Sequence, residues 1–402
     1  MHNQLTFENT SIRNSKITYT IFHQYQNGWY DTDISLFDPS LKESELMSRI
    51  KLNFNWVGVI YNQSFTFNRF TTNFGANYNM QRRNHVGLEN YQDSGFAEIY
   101  SNTGVKQEFT QYIKAEYKIL GLSLYGDIQS RYVNYRYRSQ PINLTLYNNQ
   151  HFNYSGGASF KLSNVVIHYG IGKTTREPRR SDILGGLDNY QGSLNILKDE
   201  SVYSQDAGIK FTGNKLEASV NMYDMQFKNE FMPTGLYGEN SIGLYKNVDE
   251  SYRRGVEISG KYKSDKLEVS GNLTLSKNRY QSKDNNIPGP TVFMKWNKSI
   301  LSPDAVGNIN VMYKFDKFWF VGVNTRYNSK TFIDLDNTYN LPAFCVLDGY
   351  IGATRKMVEF RLNINNLTNS LILTNGMIGF DGSPRYFVMS KINTLFTLKI
   401  KI

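Results

Sequence analysis

Proline is scarce in this chain, with nine among 402 residues. Few positions therefore lack a backbone donor, and β ladders can run with little interruption. Cysteine occurs once, at Cys345, so no intrachain disulfide can form. The five histidines, His2, His23, His85, His151 and His168, make no HExxH spacing and have no CxxC set beside them. No metal site and no cofactor is expected from them. No apolar run reaches the ~20 residues of a spanning helix. Met1 is followed by polar residues and Arg13 rather than an apolar stretch, so no export signal is legible there. Serines and carboxylates are plentiful but form no nucleophile motif, and the lone cysteine has no base near it in sequence. Enzymatic chemistry is not expected.

What is present points to strands. The chain has 29 Tyr and 25 Phe, and these suit a pleated surface. Period-two alternation recurs along it. Leu267, Val269, Gly271, Leu273 and Leu275 fall on one face, and Glu268, Ser270, Asn272, Thr274 and Ser276 on the other. Val358, Phe360, Leu362 and Ile364 alternate with Glu359, Arg361, Asn363 and Asn365. The mean hydropathy of −0.49 looks soluble. It is equally compatible with membrane strands, which show lipid only every second residue. The formal net charge of +10 is spread along the chain rather than gathered in a tract. A nucleic-acid partner is not expected, because its electrostatic footprint would be clustered.

Tight turns alternate with long polar connections. Turns are expected at Asn14-Ser15, Val57-Gly58, Leu120-Gly121, Ser163-Asn164, Gly213-Asn214, Ser264-Asp265, Asp316-Lys317 and Arg355-Lys356. Long polar stretches are read at Gln26 to Lys42, Gln81 to Gly104, Thr174 to Lys198 and Gln281 to Pro303. Such sorting is that of an outer-membrane barrel, with short periplasmic turns and longer extracellular loops. Aromatics beside turns, among them Phe315, Phe318, Trp319 and Phe320, and Trp56 with Tyr61, read as interfacial girdles. The fold class is therefore all-β: a transmembrane antiparallel barrel of about seventeen strands over residues 1–402. Bacterial single-chain barrels have even strand numbers. At least one strand is accordingly expected to be missing from the N-terminal end.

Five segments resemble the barrel of TonB-dependent receptors, in the form common in Bacteroidetes. Thr174 to Asp182 is similar to the family's "REP" segment. Leu197 to Lys210 is similar to a "KPE…E-x-G" pattern, with Asp199 in place of Pro and Asp206 in place of Glu. Glu217 to Gly235 is similar to "YxMxYxNQLVxTG", Asn247 to Glu257 to "NVxxSYRxGIE", and Asn363 to Gly376 to "NNLFNxxYxxNG". The five stand in the family's order and cover the chain from about Thr174 to its end. The resemblance implies a 22-stranded barrel of which these would be the last seventeen. A plug domain, a TonB box and a signal peptide are not recognised in this sequence. It further implies energised uptake of a scarce nutrient across the outer membrane of a Gram-negative bacterium. The nutrient would be a ferric siderophore or other iron complex, and the partners outer-membrane lipid and the TonB energy complex. Candidate ligand-binding residues are then Arg176, Arg179, Arg180 and Tyr190 in one loop, and Arg253 and Arg254 on a later strand. Guanidinium groups suit carboxylate or catecholate oxygens, and aromatic rings suit rings. The other reading of each arginine is an ion pair with Asp or Glu inside the barrel. Two other readings of the chain are a soluble β-rich binding or adhesion protein and a truncated, non-functional receptor.

Overall fold

The computed structural model describes residues 1–36, 40–237, 243–281, 296–379 and 382–400. Seventeen long strands form one antiparallel sheet, with the two-residue bridge Asn297–Lys298 as an eighteenth member. The first six are β1 (His2–Asn9), β2 (Ser15–Asp33), β3 (Leu46–Phe67), β4 (Phe70–Tyr91), β5 (Ala97–Ile119) and β6 (Leu122–Ser139). The next six are β7 (Ile142–Leu162), β8 (Val165–Arg176), β9 (Glu200–Thr212), β10 (Leu216–Tyr237), β11 (Gly243–Lys263) and β12 (Leu267–Gln281). The last five are β13 (Ala305–Lys314), β14 (Trp319–Asn328), β15 (Phe344–Arg355), β16 (Val358–Asn365) and β17 (Asn393–Ile400). Each pairs with its sequence neighbours. Among the described residues, β1 bonds only to β2, and β17 only to β16.

Alternation decides the two faces. Leu5, Ile21, Val59, Tyr78, Phe109 and Tyr132 lie side by side in register across six strands, and all are exposed. Phe396, Leu362, Ile351, Val321, Tyr313 and Leu267 form a second row in register, exposed except for the half-buried Val321 and Leu267. A contiguous apolar surface of this extent is not left to water; it is the lipid-facing band of a barrel. Leu273 and Leu275 belong to it, at 38% and 48% exposure. Between them point the polar residues of the other face, where Lys261 meets Glu268 at 2.9 Å. Strand lengths agree. β5 has 23 residues, well beyond the ~9–11 that cross a membrane.

Seven of the eight expected turns lie at strand ends. The eighth does not: Val57-Gly58 is in the middle of β3, and the turn falls at Asn68-Arg69. Gly58 is there for close approach. A Cβ on it would sit 2.5 Å from the Phe22 ring. Trp56 accordingly flanks no turn, and its indole N–H donates inward to Asn79 at 3.1 Å. Most of Gln81 to Gly104 is strand, and the connection between β4 and β5 is only 92–96. The far rim has a further tight connection at Gln140-Pro141. Part of the stretch Gln281 to Pro303 lies outside the described residues.

Long connections on the far rim fold over one another. Thr331–Phe332 pairs with Asn340–Leu341, and Leu373–Ile378 with Pro384–Val388. Tyr280 and Leu335, with Met232 and Val248, form a small apolar core there. The Asn-rich segment after β16 has a backbone reason. Asn366 (φ 52°) and Asn369 (φ 51°) occupy the left-handed region, which Asn tolerates better than most residues. Asn366 is fully buried, and its amide N–H donates to Asp348 at 2.8 Å.

On the inner face, Tyr223 lies over its register partner Gly255. A Cβ at Gly255 would come within 2.6 Å of the Tyr223 hydroxyl and 2.7 Å of the Leu275 carbonyl. Gly255→Ala should cost about 1–3 kcal/mol by overpacking. Gly28→Ala, with nothing within 4 Å, is the matched control. Urea unfolding from lipid vesicles measures both, and equal midpoints would refute the packing account.

Candidate functional site

The site is built on the loop between β8 and β9, residues 177–199. Arg176 is the last residue of β8, and Pro178 has no N–H with which to continue the ladder. A short helix, α1 (Arg180–Ile183), follows. Both ends of the loop are tied to the inner wall. At its start, Glu177 accepts from Lys106 at 2.7 Å and from the two amino groups of Arg131 at 2.9 and 2.8 Å. Glu108 bridges the same two cations. At its end, Asp199 accepts from the Tyr147 hydroxyl and from Asn149. His151 stacks on Tyr147, its Nε2 3.0 Å from the hydroxyl. Burial by itself would raise the Glu177 pKa, but the hydrogen bonds from Arg131 and Lys106 prevail and hold it at about 2. The carboxyl of Asp182, buried in the loop, is pushed upward by desolvation.

The middle of the loop docks on β5 and β6. Arg180 donates to Asn102 at 3.2 Å and to the Asp188 carbonyl, and its guanidinium lies over the Tyr137 ring. The Tyr190 amide donates to the Tyr137 hydroxyl at 3.1 Å. Arg179 lies 3.8 Å from Asp182 and 4.3 Å from the centre of the Tyr245 ring. Arg176 meets Glu200 at 2.7 Å and packs over Phe231. The neighbours Arg253 and Arg254 fall on opposite faces. Arg253 turns inward onto Glu230 and Phe227. Arg254 has the parity of the exposed Ile258 and pairs with its register partner Asp224 on the outer face. The structure thus gathers Arg179, Arg180 and Tyr190 on one inner loop with Arg176 at its base, brings Arg253 near on the inner wall, and separates Arg254 from them.

Beside the loop is a cavity of about 280 Å³, lined by Arg83, Lys106, Arg179 and Arg180 with Tyr135, Tyr147 and Glu177. Phe54 and Arg83 also line a neighbouring cavity of about 390 Å³, whose far wall is the segment Gln26 to Tyr30. Among the described residues Arg83 has no hydrogen-bond or ion-pair partner. It is the residue that sequence reasoning missed. It lies in a run, Gln81 to His85, polar on both faces, where the period of two is hidden. Four cations against one acid, walled by aromatic rings, can hold a flat, anionic, oxygen-rich molecule. Among the described residues no cluster of His, Cys, Asp and Glu has the form of a metal site. No helix among them is long and apolar enough to cross a membrane, which says nothing of strands.

Residues 2–367 match the family model described as TonB dependent receptor-like, beta-barrel. The chain belongs to that family, whose members are transport proteins of the Gram-negative outer membrane rather than enzymes. Solved structures share the fold. The chain is similar to the copper transporter OprC with a TM-score of 0.76 and 13% identity, covering 99% of this chain and 64% of that one. The siderophore receptor PiuA of Acinetobacter baumannii gives 0.73 and 15%, covering 99% and 64%. The ferric-catecholate import receptor Fiu of E. coli K12, in its closed form, gives 0.69 and 15%, covering 99% and 63%. The chain thus spans less than two thirds of the length of these proteins. Comparison with curated protein sequences finds no match.

Proposed function

We propose that the protein acts in TonB-driven uptake of an anionic metal chelate, a ferric siderophore or related iron complex, across the outer membrane. The carrying observation is the cation-rich cavity of Arg83, Lys106, Arg179 and Arg180 on the inner face. Its aromatic neighbours suit catecholate rings, and its guanidinium groups suit their oxygens. The likeness to a siderophore receptor and a ferric-catecholate import receptor supports this choice of ligand. The motifs shared with receptors common in Bacteroidetes support a source in that group. In this reading Arg83, Arg179 and Arg180 contact the ligand. Arg176, Arg253 and Tyr190 shape the approach to it, and Arg254 on the outer face stands apart. The apolar rows in register argue against a soluble adhesion protein.

The test is binding of a ferric tris-catecholate and of ferric citrate to the detergent-extracted protein, followed by quenching of tryptophan fluorescence. Arg83→Gln should weaken binding by about tenfold or more, the worth of one hydrogen bond to a charged group. Arg254→Gln should leave it unchanged. Equal affinity in the wild type and Arg83→Gln, or no binding of either complex to the wild type, would refute the assignment.

A further inference from the structure

The short-turn rim carries a charge pattern that uptake through the interior does not use. Arg69, Lys161, Lys215, Lys266, Lys317 and Lys356 stand in or beside six of the eight short turns, and all six are exposed. None makes an ion pair among the described residues. The acids of this rim are mostly occupied. Glu8 holds Lys16 at 2.7 Å, Glu116 holds Lys118 at 3.0 Å and Glu268 holds Lys261 at 2.9 Å. Asp316 accepts from the amides of Phe318 at 2.7 Å and Trp319 at 2.8 Å. Asp265 beside Lys266, Glu217 near Lys215 and Glu359 near Lys356 remain. On the opposite rim several cations stand against acids, Arg49 on Asp31, Arg176 on Glu200 and Arg279 on Asp304, while Arg136, Arg138 and Lys330 make no ion pair among the described residues. Among the described residues, exposed cations without an ion-pair partner therefore recur from turn to turn around the short-turn rim.

Next to these cations, exposed aromatics begin the apolar band, with Phe70, Phe315 and Trp319 at strand ends. Rings at headgroup depth with cations just beyond them match a membrane surface: rings favour the interface, and long basic side chains reach out to phosphate. A soluble polyanion would instead call for a continuous tract on one face. Successive turns are two strands apart, about 10 Å, so the cations trace the outline where the wall leaves the bilayer. We propose that the short-turn rim binds anionic phospholipid headgroups and keeps a shell of acidic lipid around that end of the barrel.

The experiment excises the protein from its own membrane in polymer-bounded nanodiscs and measures the lipids that come with it. The wild type should carry anionic phospholipid enriched at least about threefold over the bulk membrane, as expected where several basic side chains each attract it. Substituting all six cations with Gln should abolish the enrichment, and exchanging Lys for Arg and Arg69 for Lys should keep it. Should the sixfold Gln variant fail to assemble, substitutions made at two turns at a time should lower the enrichment stepwise. No enrichment in the wild type, or equal enrichment in the Gln variants, overturns the proposal. So does a Gln variant that loses retention on isolated peptidoglycan while its lipid shell is unchanged, since the rim would then serve a soluble polymer.

Discussion

Replacing Glu177 with alanine should undock the loop 177–199 from the inner wall. The carboxylate takes three N–H groups from Lys106 and Arg131. Its removal leaves those two cations facing each other with Glu108 alone between them. Breaking a buried pair by deleting one member costs about 3–5 kcal/mol. The side chains here keep 12% to 24% of their exposure, so the lower end applies. Arg179 and Arg180 provide trypsin sites within the loop. Cleavage there is governed by local opening, and should speed up by about a hundredfold. Unchanged cleavage would show that the loop is held by something other than Glu177. The wild type should also respond to acid. Because Glu177 is depressed from 4.5 to about 2, its contribution is fully present above pH 4.5 and is lost as the pH falls towards 2. Pepsin, which works in that range, should cut the loop increasingly across that window, whereas Glu177→Ala should be cut throughout it.

Leu273→Arg should destabilise the barrel in lipid by about 2–4 kcal/mol. Leu273 lies six residues beyond the start of β12 at Leu267. At ~3.3 Å per residue and a tilt near 45°, that is about 14 Å above the turn, close to the centre of an apolar band about 25 Å tall. Its neighbour Asn272 points the other way, so Asn272→Arg should change stability by less than about 0.5 kcal/mol. Denaturant titration from vesicles distinguishes the two. If Asn272→Arg proved the costly one, the faces would be reversed.

The strand count and the faces were legible because both follow from periods that survive in a single sequence. The turns were legible where their chemistry is local. Asn14 and Ser163 hold a positive φ, and Gly213 lies in another turn. Gly58 misled because glycine serves two needs, a turn in one place and room for a ring in another. Here it makes room for Phe22, a residue 36 positions away that no window around Gly58 contains. The site divides the same way. Arg176, Arg179 and Arg180 announce themselves as a basic cluster beside a proline. Their setting comes from Arg83, Lys106 and Arg131, on strands that precede the loop by dozens of residues. Only the register of the sheet brings those groups together. Arg253 and Arg254 make the complementary point: adjacent on a strand means opposite in space.

The neighbour-only pairing of the strands has a bearing on how such a wall could be assembled and altered. Among the described residues no ladder of the large sheet joins strands distant in order, so each added hairpin closes over one connection, short on one rim and often long on the other, and the entropic cost of closure stays local. The sheet can therefore lengthen one hairpin at a time on a template already in place. Gain or loss of a whole hairpin shifts the strand number by two and leaves every remaining register, and so every inward and outward face, as it was. Gain or loss of a single strand would reverse the chain direction of all that follow and carry the basic turns to the opposite rim.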